Sequence, residues 1–181
     1  MNHYSEPHRA YHTMTHIREC LMQFDNVAEI AEHPDQLEAA IWFHDAVYDP
    51  KSDQNEEKSA ESAYLSLTKC GVSSAIARKI TNLILATRHD TTRMDNDEKL
   101  IADIDLCILG SQPQKFDEYE TQIRREYHFV PDEDYQKGRS EILRYFIERE
   151  MIYQTDIFRV QYQTQARENI HCLLHRLNNQ N

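Results

Sequence analysis

The stretch LEAAIWFHDAVYD, residues 37–49, contains the most apolar run in the first half of the chain. Its apolar positions recur at i, i+3, i+4 and i+7, which is the spacing of one buried helix face, and that face includes His44 and Asp45. Burial of an unpaired carboxylate costs several kcal/mol because its hydration is lost. The stretch therefore predicts a buried helix whose two ionisable residues need a partner.

The same periodicity places two more ionisable residues on apolar faces. Residues 13–24 form one such stripe, which includes His16, and residues 99–110 form another, which includes Asp105. Two imidazoles and two carboxylates, supplied by three helices, are thus predicted to face one core. A divalent cation is the simplest partner that all four can share.

Composition favours an all-α fold. The 181 residues include only three glycines, too few for the turns of a β-rich or nucleotide-loop architecture. Helix-forming residues such as Glu, Gln, Leu, Ala and Arg dominate instead. We expect a single domain over residues 1–181, built as a multi-helix bundle with the metal site between its helices.

Charge and the apolar runs limit the partners. The formal net charge of −11 argues against a nucleic-acid polymer or an anionic membrane. A small phosphate-containing substrate stays compatible, because a bound metal can invert the local field. No apolar run approaches the roughly 18 residues of a membrane span.

The four cysteines form no C-x-x-C pair and are expected to be reduced and mostly buried, which fits a cytoplasmic protein. A homodimer is compatible with the sequence.

The order H…HD…D, formed by His16, His44-Asp45 and Asp105, resembles the HD-domain superfamily of metal-dependent phosphohydrolases. The resemblance implies an all-α bundle in which these four residues coordinate the metal. The resemblance covers most of the chain. It is to one bacterial subgroup of predicted HD phosphohydrolases. The segments that carry it are EPHRAYHTMTHI (6–17), AIWFHDAVYD (40–49), NEEKSA (55–60), ATRHD (86–90), DIDLCILG (103–110), IRREY (123–127) and ARENI (166–170).

This resemblance implies hydrolysis of a phosphomonoester or phosphodiester of a small molecule, such as a nucleotide. A metal-activated water would attack, and Asp45 would both bind the metal and orient that water. The segment YHTMTH (11–16) is similar to the Y-H-x-x-x-H of cyclic-nucleotide phosphodiesterases, which implies that His12 is the general acid. The alternative is a solvent-exposed histidine in the first turn of the helix.

Three further residues are candidates for substrate contact or for support of the metal ligands. Arg9 suits a phosphate oxygen, although it equally suits a surface ion pair. His89 is expected to point toward the site from a helix end, while Asp90 is solvated; the alternative is a surface histidine near a helix C-terminus. Glu56 either joins the site or closes a capping box with Asp53 as N-cap, and the capping box is the favoured prediction.

Ligand type does not identify the metal or the number of ions. Mn, Fe, Ni, Co, Zn and Mg all accept nitrogen and oxygen donors, and one or two ions would fit. Two other classes of function stay open. One is an HD-fold di-iron oxygenase, which needs extra histidine ligands such as His89. The other is a non-catalytic module that binds a nucleotide or a metal.

Overall fold

The computed structural model describes residues 3–90 and 94–179. Within these ranges the chain forms eight α-helices and three short 3₁₀ segments, and it forms no strand. The prediction of an all-α fold is therefore confirmed. The helices are α1 (Met14–Asp25), α2 (Pro34–Phe43), α3 (Asn55–Lys69), α4 (Ser74–Ala86), α5 (Asn96–Asp105), α6 (Pro113–Glu126), α7 (Asp132–Ile147) and α8 (Asp156–Asn178).

The helices group into two compact units. The first ends at Asp105 and contains α1 to α5, and the second begins at Leu106 and contains α6 to α8. All of the predicted metal ligands belong to the first unit. Whether the two units form the single domain predicted over residues 1–181 depends on how they combine. The single domain therefore stays a prediction.

Helix α2 is the centre of the first unit, where it packs against α1, α3, α4 and α5. Leu37 and Ala40 have no exposed surface and Ile41 has almost none, so the buried helix face predicted from the sequence is confirmed. The helix is shorter than predicted, however. It ends at Phe43, so His44 and Asp45 lie in the turn directly after it rather than within it.

Polar contacts set where the site-bearing helices begin. The side chain of Thr13 caps α1 by accepting a backbone N–H of its first turn. The buried carboxylate of Asp97, in the first turn of α5, accepts the backbone N–H groups of Glu32 and His33, each at 2.8 Å. These two residues directly precede Pro34, where α2 begins, so this contact fixes the start of α2 against α5.

The predicted capping box at the start of α3 is wrong. The helix begins at Asn55, its N-cap is Gln54, and that residue makes no side-chain capping bond. Asp53 therefore lies before the cap, and Glu56 falls in the first turn. The side chain of Asn55 instead bonds to both backbone groups of Asp49 at 3.0 Å, which closes the loop that follows the His44–Asp45 turn.

The apolar stripe predicted over residues 99–110 is not one continuous helix. Helix α5 ends at Asp105, and Leu106–Gly110 forms a 3₁₀ segment in the second unit, packed against α6 and α8. The hydroxyl of Tyr153 and the amide of Asn169 donate to carbonyls of this segment at 3.1 and 2.9 Å. A side chain at Gly110 would place a Cβ only 2.6 Å from the Cβ of Tyr162, so α8 can approach this closely only because residue 110 is glycine.

None of the helices in the described ranges is both long enough and apolar enough to cross a membrane. All four cysteines lie in the described ranges, and none forms a disulfide. Cys20 and Cys107 are buried, whereas Cys70 and Cys172 are exposed, so the expectation of mostly buried thiols is wrong for two of the four.

Candidate metal centre

Donor atoms of four side chains converge inside the first unit. The Nε2 atoms of His16, on α1, and His44, directly after α2, lie 3.1 Å apart. Oδ1 of Asp105, the last residue of α5, lies 3.2 and 3.6 Å from these two nitrogens. Oδ2 of Asp45 lies 3.5 and 3.1 Å from them. Two donors bound to one ion at ordinary bond lengths are about 3.0–3.5 Å apart, so these separations suit ligands of a single ion.

A backbone contact selects which nitrogen of His44 faces the cluster. Nδ1 of His44 lies 2.9 Å from the carbonyl oxygen of Ile41, which can only accept a hydrogen bond. Nδ1 therefore carries a proton and donates it to this bond, and in the neutral ring Nε2 holds the free electron pair. This orientation is typical of metal-binding histidines, whose outer nitrogen is usually fixed by a carbonyl or a carboxylate.

The electrostatics of the cluster favour a cation. Oδ2 of Asp45 is buried and accepts no hydrogen bond. Burial opposes a charged imidazole, but the neighbouring Asp45 and Asp105 carboxylates raise the pKa of His44 well above its ordinary value. Burial likewise opposes the ionised Asp45, yet His44 and His12 hold its pKa well below its usual range. Both shifts have the same cause, which is that the two carboxylates favour a positive charge beside them.

The structure adds one donor that the sequence analysis missed. His16, Cys20, His44 and Asp105 form a buried group whose donor atoms all lie within 4.8 Å of one another, and this group could hold a metal ion. Cys20 follows His16 by one helical turn, and that i+4 spacing was the available signal. Its Sγ lies 3.7 Å from both ring nitrogens of His16. A sulfur–nitrogen distance of this size suits two ligands of one ion, because metal–sulfur bonds are longer than metal–nitrogen bonds.

His12 lies beside the cluster but outside the helix. Helix α1 begins at Met14, so His12 does not belong to the same helix face as His16. Its ring stacks on Tyr48, with 4.0 Å between ring centroids, and its centroid lies 6.0 Å from that of His16. The stacking on Tyr48 places a third imidazole, which is half-buried, next to the predicted ligands.

Arg9 supports the site through the backbone. Its side chain is fully buried, and Nη1 donates to the carbonyls of His12 and Asp45, each at 2.9 Å. Nε donates to the Glu6 carboxylate at 2.8 Å. The predicted phosphate contact does not fit this arrangement, because the guanidinium is enclosed and its donors face protein groups. Arg9 instead connects the segment that carries His12 to the turn that carries Asp45.

His89 and Glu56 both lie near the predicted ligands. Nε2 of His89 is 2.9 Å from Oδ2 of Asp105, the oxygen that is not directed at His16 and His44. Burial is the largest influence on Glu56 and raises the pKa of its carboxyl, and the nearby negative charges of Asp45 and Asp105 raise it further. Both residues are therefore placed to influence the cluster.

Asp90, which follows His89, is exposed, and it pairs with Arg88 at 3.2 Å. The structure thus places only the histidine of the His89–Asp90 doublet at the cluster.

Comparisons of the chain with protein-family models, with curated proteins and with solved structures gave no match. The geometry of the cluster is therefore the main guide to function.

Proposed function

We propose that this protein is an HD-type metal-dependent phosphohydrolase that cleaves a phosphomonoester or phosphodiester of a small molecule, such as a nucleotide. The observation that carries the proposal is the convergence of His16, His44, Asp45 and Asp105 on one buried point. Two carboxylates and two imidazoles are costly to bury together without a cation.

We assign the fourth ligand to Asp45 rather than to Cys20. Oδ2 of Asp45 lies 3.1 and 3.5 Å from the two imidazole nitrogens and has no other partner. The sulfur of Cys20 lies 3.7 Å from both ring nitrogens of His16, which would also suit a thiolate ligand, so Cys20 is the alternative fourth ligand. A shell of two nitrogens and two oxygens suits Mn, Fe, Co, Ni, Zn or Mg, whereas a thiolate would favour softer ions.

The four ligands leave coordination positions for water and substrate. A divalent ion bound there would lower the pKa of a bound water and polarise a phosphoryl oxygen. Asp45 would both bind the ion and orient the attacking water. His12, beside His16 and outside the ligand set, would donate a proton to the departing oxygen of the substrate.

Turnover of simple phosphate esters tests this proposal. The protein would be incubated with Mn²⁺, Co²⁺, Ni²⁺, Zn²⁺ or Mg²⁺ and a panel of aryl phosphate mono- and diesters, nucleoside monophosphates and cyclic nucleotides. We expect hydrolysis that a chelator abolishes, seen as phosphate released from a monoester or as a monoester formed from a diester or cyclic nucleotide. Asp105→Asn should remove this activity, while Asp25→Asn, at the exposed end of α1, should retain it. Metal-loaded protein that hydrolyses none of these substrates would contradict the proposal.

The position of His89 also supports a second candidate, an HD-fold di-iron oxygenase, because its Nε2 is a nitrogen donor within 2.9 Å of Asp105. Such an enzyme would contain two iron ions per chain and would consume oxygen during turnover. Iron content and oxygen uptake therefore separate it from the hydrolase. Metal binding with neither activity would instead indicate a non-catalytic binding module.

A further inference from the structure

His89 has an unusual backbone conformation. Among the residues that the structure describes, it alone combines a side chain with a positive φ, of 58°. This left-handed conformation brings the Cβ of an L-residue close to its own backbone, and only glycine adopts it without strain. Helices often end in such a residue, which is usually glycine or asparagine. After α4 the chain instead places a histidine there, which suggests that the side chain is needed.

The imidazole of His89 contacts the candidate metal centre from outside. Its Nε2 lies 2.9 Å from Oδ2 of Asp105, and the side chain is 11% exposed. The other oxygen of Asp105, Oδ1, lies 3.2 and 3.6 Å from the ligand nitrogens of His16 and His44. The two oxygens of one carboxylate therefore face different partners.

We propose that His89 is a positioning residue, which donates a hydrogen bond from Nε2 to Oδ2 of Asp105 and so presents only Oδ1 to the metal ion. This inference rests on the proposed function, since it assumes that Asp105 is a ligand. A carboxylate whose second oxygen is held by a hydrogen bond binds through one oxygen. The coordination position that a second oxygen would occupy is then left for water or substrate. Hydrogen bonds of this kind strengthen metal binding at other protein sites.

Two variants separate the hydrogen bond from the backbone strain. His89→Gly removes the imidazole and also suits a positive φ, so it does not add strain to the turn. His89→Gln keeps an N–H donor at about the reach of Nε2. His33→Gln changes an exposed histidine elsewhere in the first unit and is the matched control. Titration with Mn²⁺, and in parallel with Zn²⁺, gives the dissociation constant and stoichiometry of each variant, and thermal unfolding of the metal-free proteins reports their folding.

We expect His89→Gly to bind the ion about 10- to 100-fold more weakly than the wild-type protein, without a lower thermal midpoint in the metal-free state. His89→Gln and His33→Gln should bind close to wild type. A purely structural histidine would show the reverse pattern, with lower stability and unchanged affinity.

Three results would overturn the proposal. In the first, His89→Gly binds as tightly as the wild type. In the second, His89→Gln binds as weakly as His89→Gly. In the third, the wild type binds two ions and His89→Gly only one, which would make His89 a ligand. If the wild type binds no ion, the proposed function itself fails, and that result is distinguishable from the other three.

Discussion

At the scale of single residues, the hydrogen bonds of each candidate ligand decide which of its atoms faces the cluster. The carbonyl of Ile41 takes the Nδ1 proton of His44 and so directs Nε2 toward the cluster. Nε2 of His89 contacts the outer oxygen of Asp105, while Oδ2 of Asp45 faces the two imidazole nitrogens. These contacts hold four candidate ligand side chains in one arrangement.

Metal affinity should depend on pH in a defined direction. An imidazole must be unprotonated to bind a metal. Although burial opposes its charge, Asp45 and Asp105 raise the pKa of His44 well above its ordinary value, so in the metal-free protein a proton competes for the site. As the pH falls through and below that raised pKa, affinity should fall about tenfold per pH unit for each proton displaced. Isothermal titration with Mn²⁺ across pH 5–9, in buffers of different ionisation enthalpy, counts these protons, and an affinity independent of pH would contradict the protonated His44.

His12 should affect turnover but not metal content. It stacks on Tyr48 and is not among the convergent donor atoms, so removal of its acidic proton should leave the ligands in place. We expect His12→Gln to lower kcat by about 10²- to 10⁴-fold on substrates with a poor leaving group. A substrate whose leaving group needs no proton should be much less affected. Equal losses on both kinds of substrate, or loss of the metal, would exclude a general-acid role.

Arg9 should matter for folding. Its guanidinium is enclosed and donates to the carbonyls of His12 and Asp45, so its removal leaves buried carbonyls without donors. We expect Arg9→Ala to lower the free energy of unfolding by about 2–4 kcal/mol. Arg18→Ala, at an exposed position on α1, should change it by less than about 0.5 kcal/mol. Urea unfolding measures both, and equal stability of the two variants would contradict the role of Arg9.

Sequence periodicity could predict that His16, His44, Asp45 and Asp105 lie on apolar faces, because burial follows helical spacing. It could not predict that Arg9 is enclosed by backbone carbonyls, since those contacts depend on how a loop folds onto the turn after α2. Cys20 was missed although its i+4 spacing from His16 was visible, because a cysteine on an apolar face is usually a core residue.

At the scale of helices, the existence of each element followed from its pattern, whereas its ends followed from tertiary contacts. Helix α2 stops at Phe43, and the turn that follows it is held by Arg9. Helix α3 starts at Asn55, whose side chain bonds to the backbone of Asp49 in the preceding loop. No side chain caps this helix start. Neither boundary can be read from hydrophobic spacing alone.

The packing of α8 on the 3₁₀ segment gives a prediction for the second unit. A methyl group at Gly110 would lie 2.6 Å from the Cβ and 2.7 Å from the carbonyl oxygen of Tyr162. We expect Gly110→Ala to lower the free energy of unfolding by at least about 1–3 kcal/mol, because the helix must move away. Gly138→Ala, within α7 and with open space around its Cβ position, should raise it by about 0.5–1 kcal/mol. Urea unfolding of both variants checks the pair, and a stable Gly110→Ala would contradict the close packing.

At the scale of the whole molecule, the net charge of −11 does not favour an anionic substrate, and a bound cation would change the local field in its favour. The all-α class could be predicted from composition, because glycine is scarce and helix-forming residues are abundant. The division into two compact units at Asp105–Leu106 could not, since the apolar stripe runs through this boundary without a break in the sequence.

The central claim is that His44 and Oδ2 of Asp45 are buried because they hold a metal ion with His16 and Asp105. Metal content per chain, measured by mass spectrometry on protein purified without added metal, tests it most directly. Wild-type protein and Asp25→Ala should carry near-stoichiometric metal, and Asp45→Ala should lose it while it stays folded by circular dichroism. Wild-type protein that is empty, and stays empty after incubation with manganese, nickel or iron, would contradict the claim.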